Sequence, residues 1–100
     1  MKQDLEEFDK VQLYENYYRI KGAPNREKML LAMYEKPMTR QALREKVEYA
    51  TQEYIYRSLD SLLEKGLVIC LNEESKTRRY QLYTLSPLGE RVVELIKEEE

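Results

Sequence analysis

The stretch from Thr51 to Lys65, closed by Gly66, restricts what this chain can fold into more than any other. Ile55, Leu59 and Leu62 recur at steps of four and three, which puts them on one helical stripe. Leu63 lies beside that stripe, and Ser58 is small enough to admit a neighbouring helix. That stripe must face inward. The opposite face carries Gln52, Glu53, Tyr56, Arg57 and Asp60, side chains that are long, planar or hydrogen-bonding. Thr51 can offer its hydroxyl to the unpaired amides of the first turn, and Gly66 can take the left-handed conformation that ends a helix. The sequence therefore predicts a helix punctuated at both ends.

With 100 residues the chain makes one domain around one modest core. Its net charge of −2 argues against a protein that coats nucleic acid by bulk charge. The charge is unevenly spread: residues 25–85 are slightly basic, whereas residues 1–24 and 86–100 are acidic. The chain has no histidine and a single cysteine, which excludes an imidazole base, a multi-cysteine metal site and an internal disulfide. No catalytic residue, metal or cofactor is expected. Cys70, inside the apolar run LVICL, reads as a buried small hydrophobe. The sequence contains no signal peptide and no apolar stretch of about twenty residues, so a cytoplasmic protein is expected.

Along the chain, residues 4–20 read as an amphipathic helix with Leu5, Phe8, Val11, Tyr14, Tyr17 and Tyr18 on its apolar side. Its tyrosines could stack on bases or pack on protein; the acid around them favours packing at an interface. Gly22, Ala23 and Pro24 break the chain, and Asn25 is placed to cap a helix reaching about Tyr34. Pro37 ends that helix. Thr39 caps a short one, residues 40–47, which carries Arg40, Arg44 and Lys46, and a turn leads on to the Thr51 helix. Two strands, 67–71 and 80–85, form a hairpin around the polar stretch 72–79 with Lys76, Arg78 and Arg79. Ser86 and Pro87 then open a last helix with Leu88, Val92, Leu95 and Ile96 on its buried stripe and Val93 adding width.

The stretch SLDSLLEKGLVICLNEESKTRRYQLYTLSPLGERVVELI resembles the reading-helix end, wing and closing helix of archaeal winged helix-turn-helix transcription regulators of the MarR and ArsR type, a pattern that PadR-like regulators share. LLEKGLV, CLN and YTLSPLG carry the resemblance, which covers about residues 25–97. The fold it implies is mainly α with a small β-hairpin: a winged helix-turn-helix over residues 25–100, preceded by an extra N-terminal helix and linker over residues 1–24. Three departures stand out. The turn holding Glu48 and Tyr49 is one residue longer than usual for the pattern, the paired-cysteine metal site of metal-sensing relatives is missing, and Ile69 is apolar where a polar residue is common. The last of these calls for a cover, for which the 1–20 helix of this chain or of a partner is the obvious candidate.

The resemblance implies a sequence-specific regulator of double-stranded DNA, with helix 51–65 in the major groove and wing 72–79 on the backbone or minor groove. Gln52, Glu53, Tyr56 and Arg57 would read bases. Thr39, Arg40, Arg44, Thr51, Lys76, Arg78 and Arg79 would hold phosphates. A homodimer is expected through Leu5, Phe8, Val11, Tyr14, Tyr17, Tyr18, Val93 and Ile96. The alternative is a winged-helix protein-interaction module within a larger assembly, its outer helix face kept off DNA by Glu53, Asp60 and Glu64.

Overall fold

Most breaks in the polar–apolar pattern become boundaries in the computed structural model, which describes residues 9–48 and 50–99. Leu5, Phe8, the beginning of the first expected helix and Tyr49 of the long turn lie outside the described residues. Among the described residues five α-helices and one hairpin follow in the order α1 (Lys10–Lys21), α2 (Pro24–Glu35), α3 (Arg40–Lys46), α4 (Gln52–Glu64), β1 (Val68–Cys70), β2 (Tyr83–Leu85) and α5 (Pro87–Glu98).

The helix starts follow from side-chain chemistry. The Oγ1 of Thr39 accepts from the Ala42 amide, that of Thr51 from the Tyr54 amide, and the Oγ of Ser86 from the Gly89 amide. Asp9 does the same for α1, accepting from the Val11 amide at 2.9 Å. Asn25 does not cap α2. Pro24 occupies the first helical position and Ala23 the cap, because proline lacks the N–H that would be unpaired there and its φ is already helical. Gly66 closes α4 at φ 76°, in the left-handed region.

The core centres on α2, which packs on α1, α3, α5 and β2. Ile55, Leu59 and Leu62 are buried together with Met29, Leu30 and Met33 of α2, Leu43 of α3 and Val92 of α5. Such removal of apolar side chains from water, at about 1.5–3 kcal/mol each, is the main force holding the helices to one another. Ser58 is also buried, as its small size foretold.

The expected stripe on α1 divides in two. Steps of three drift around a helix of 3.6 residues per turn, so Leu13, Tyr17 and Ile20 face inward while Val11, Tyr14 and Tyr18 stay exposed. The inward set packs α1 on α5 and α2. Val93 and Ile96, expected on a dimer surface, and Tyr17 with them, are therefore spent inside one chain: Val93 is fully buried and Ile96 is 5% exposed. Within the chain Ile69 is left 42% exposed.

β1 and β2 are antiparallel, pairing Val68 with Leu85, Ile69 with Thr84 and Cys70 with Tyr83. Met38, just before α3, adds a bridge on the other side of β2, exchanging both backbone hydrogen bonds with Tyr83 at 2.9 and 2.8 Å. The second strand is shorter than residues 80–85, since Arg78–Tyr80 coil into a 3₁₀ turn. Asn72 shuts the base of the wing: its Oδ1 accepts from the Leu82 amide at 2.7 Å and its Nδ2 donates to the Tyr80 carbonyl at 3.0 Å. Cys70 is half-buried, its Sγ 3.7 Å from Asn72 Oδ1.

The hairpin is fastened to α5 by backbone contact. Ser86 donates its hydroxyl to the Gly66 carbonyl and its amide to the Leu67 carbonyl. Gly89 sits so close that a Cβ added there would lie 2.1 Å from the Leu67 carbonyl oxygen. Only glycine fits such an approach.

Candidate nucleic-acid interface

The outer face of α4 is open to solvent over its first two turns. Gln52, Glu53 and Arg57 are exposed and Tyr56 is partly buried. Gln52 and Tyr56 are four apart, as are Glu53 and Arg57, so the four share one side of the helix. Glu53 and Arg57 pair across one turn, Arg57 Nη2 donating to Glu53 Oε2 at 2.6 Å, with both side chains about three-quarters exposed. An exposed pair of this kind contributes about 0.3–0.5 kcal/mol. It yields easily to a stronger acceptor for the guanidinium.

Tyr54, 38% exposed, adds a second phenol to this helix that the residue pattern did not single out. Its position one turn after the Thr51 cap was the available signal.

Arg40 departs furthest from expectation. Instead of projecting into solvent it is 4% exposed, packed under α4. Its Nε donates to the Tyr83 hydroxyl at 3.2 Å, and its Nη2 meets Asp60 Oδ1 at 3.1 Å. The rings of Tyr56 and Tyr83 each lie 5.2 Å from its Cζ, a distance at which a ring face attracts a cation. Tyr83 passes the contact on, donating to Gln81 Oε1 at 2.7 Å. The buried guanidinium thus ties α3, α4 and β2 together. Asp60, expected on a free outer face, is engaged in this link.

The other expected phosphate contacts are placed more simply. Arg44, Lys76, Arg78 and Arg79 are exposed, Arg44 on α3 and the other three along the wing. Arg79 lies over the ring of Tyr80, its Cζ 5.9 Å from the centroid. Thr39 and Thr51 use their hydroxyl oxygens as acceptors for the caps, which leaves each O–H available as a donor.

Arg78 and Arg79 come back against the helices. With Arg40, Gln41, Gln52 and Tyr56 they line a cleft of about 480 Å³ between the wing and the outer face of α4. Gln41 was not among the expected site residues. It sits two positions after the Thr39 cap on the exposed side of α3, where its amide donates to Glu45 at 3.2 Å.

Two solved structures share this arrangement of helices and hairpin. TubR bound to 24 bp of tubC, from Bacillus thuringiensis serovar israelensis pBtoxis, superposes with a TM-score of 0.75. The match covers 88% of this chain and 95% of that chain at 20% identity. A mutant form of ZitR from Lactococcus lactis gives a TM-score of 0.64 over 76% of this chain and 51% of that chain, at 18% identity. No protein-family model and no curated protein matches the sequence. The chain folds as a winged helix: mainly α, with a two-stranded antiparallel hairpin as its wing.

Proposed function

We infer that this protein is a sequence-specific double-stranded DNA-binding transcription regulator that inserts α4 into the major groove and lays the wing, residues 72–79, along the backbone or minor groove. One observation carries the reading: the hydrogen-bonding face of α4 and the guanidinium groups of Arg78 and Arg79 border the same cleft. Base-reading and phosphate-holding groups therefore lie side by side. The similarity of the fold to TubR, whose structure holds 24 bp of tubC, supports DNA as the partner.

In this reading Gln52 pairs with an adenine edge, Arg57 with a guanine edge, Glu53 accepts from a cytosine amine, and Tyr56 touches a thymine methyl or a phosphate. Thr39, Arg44, Thr51, Lys76, Arg78 and Arg79 position the duplex through phosphates. The MarR- and ArsR-like affiliation rests on LLEKGLV and YTLSPLG. The exposed Val11, Tyr14 and Tyr18 of α1 are the surface through which two copies would join. No helix among the described residues is long and apolar enough to cross a membrane; a cytoplasmic site of action belongs to the same proposed reading.

Selection of bound sequences from a pool of random duplexes tests this directly. Enrichment of one motif is the expected result; an unenriched pool would overturn the assignment. A second reading, a protein-interaction module in a larger assembly, is favoured by Ile69, Leu71 and Leu82. These are 42%, 52% and 36% exposed on one face of the hairpin, an apolar surface of a kind that partners cover. Loss of all DNA binding with retention of a protein partner would support it.

A further inference from the structure

The cleft between the wing and α4 has more built into it than a DNA-facing groove requires. Arg40 is 4% exposed, yet among the described residues its Nη1 is buried without a hydrogen-bond partner. A buried donor left unpaired is costly, while Nε and Nη2, held by Tyr83 and Asp60, fix the guanidinium charge beside the cleft. Arg40 lines the cleft, and so do Arg78 and Arg79 from the wing, with the amides of Gln41 and Gln52 and the ring of Tyr56 completing the lining. The volume, about 480 Å³, falls in the range of small-molecule sites, about 300–1,000 Å³. A phosphate group would fill a small part of it, leaving room for a sugar or ring against Tyr56.

Charge decides between the two kinds of phosphate. The cleft holds three guanidinium groups, and Asp60 offsets one through its pair with Arg40. The remainder matches a phosphomonoester, which carries roughly −1.5 to −2 near neutral pH, better than a backbone diester with its single charge. Guanidinium forks also suit the several oxygens that a monoester presents.

We propose that this cleft is a binding site for a small phosphomonoester, held by Arg78 and Arg79 from the wing, with the buried guanidinium of Arg40 adding its positive charge from beneath. Gln52, Arg78 and Arg79 also belong to the proposed DNA-facing set, so ligand and duplex exclude one another. That regulatory consequence rests on the DNA-binding reading; the site itself does not.

The test follows the Arg40 Nε–H signal by NMR, a proton sheltered by its bond to the Tyr83 hydroxyl. The probes are inorganic phosphate at about pH 8, dimethyl phosphate as a diester, chloride at matched ionic strength, and a short random duplex. Saturable shifts with inorganic phosphate are expected, with dimethyl phosphate at least about tenfold weaker. Arg78→Gln and Arg79→Gln, both at exposed positions, should each weaken phosphate binding about tenfold, while Arg19→Gln on α1 should leave it unchanged. Arg40→Lys should weaken it too, but the two wing variants decide the matter if that one fails to fold. Inorganic phosphate acting no differently from chloride would overturn the site. A shift with the duplex alone would also overturn it, making the cleft a seat for backbone phosphate and leaving the DNA-binding reading intact. Phosphate binding without duplex binding would uphold the site and overturn that reading.

Discussion

Arg40 and Asp60, one at the start of α3 and the other late in α4, are joined at 3.1 Å, the arginine 5% and the aspartate 53% exposed in their side chains. The pair fixes the angle between the two helices of the helix-turn-helix from beneath. Removing the carboxylate strips a buried guanidinium of its only charged partner among the described residues. Asp60→Ala should cost about 1–3 kcal/mol of stability, read from urea denaturation. A change within experimental error would mean that the two tyrosine rings suffice to hold Arg40.

Gly89→Ala should be more damaging than its size suggests. The added methyl would lie 2.1 Å from the Leu67 carbonyl oxygen, and backbone, unlike a side chain, cannot swing aside. A loss of about 2–3 kcal/mol is expected, which in a domain of this length lowers the thermal midpoint by roughly 10–20 °C. An unchanged melting curve would contradict the close fit of α5 on the hairpin.

Arg57→Ala tests the reading role. Stability should change by less than about 0.5 kcal/mol, since both side chains of the lost Glu53–Arg57 pair are exposed. Binding to the selected site should weaken by about 1–3 kcal/mol and tolerance at one base position should widen, with little effect on unrelated duplex. Equal losses on both duplexes would make Arg57 a phosphate anchor.

For the wing the signature is salt dependence. Arg78→Ala together with Arg79→Ala should weaken binding to all duplexes alike and flatten the salt slope by roughly one unit per lost contact. Retention of the full slope would remove the wing from the interface.

Assembly depends on the outer face of α1. The protein should sediment as a dimer at about tens of micromolar, a range suited to specific association. Tyr14→Glu with Tyr18→Glu should give a folded monomer, because both side chains are exposed and outside the core. A wild-type monomer at that concentration would remove the dimer.

Local chemistry made most of the fold legible. Thr39, Thr51 and Ser86 cap where hydroxyls precede helical runs, and Gly66 ends α4, because these interactions span only a few residues. What was illegible depended on distant partners. Arg40 looks like any surface arginine until Tyr83 and Asp60 are brought to it. Val93 and Ile96 looked surplus only because α1 had not been laid over α5. Nothing in MTR marks Met38 as a strand position; its pairing is decided by β2. The same holds for the site: the α4 face was readable from its period, whereas the cleft it shares with the wing arises from tertiary approach.

The paired backbone bonds between Met38 and Tyr83 join segments far apart in the chain, with α3, α4 and β1 lying between them. Closing so long a loop is entropically costly and is repaid only once the intervening helices have docked. The root of the wing should therefore form late and report on the whole fold. Its amides should exchange with solvent only through global unfolding, while those of the polar tip, residues 73–77, exchange through local opening. The wing is anchored as firmly as the core at its base and is free to adapt at its end.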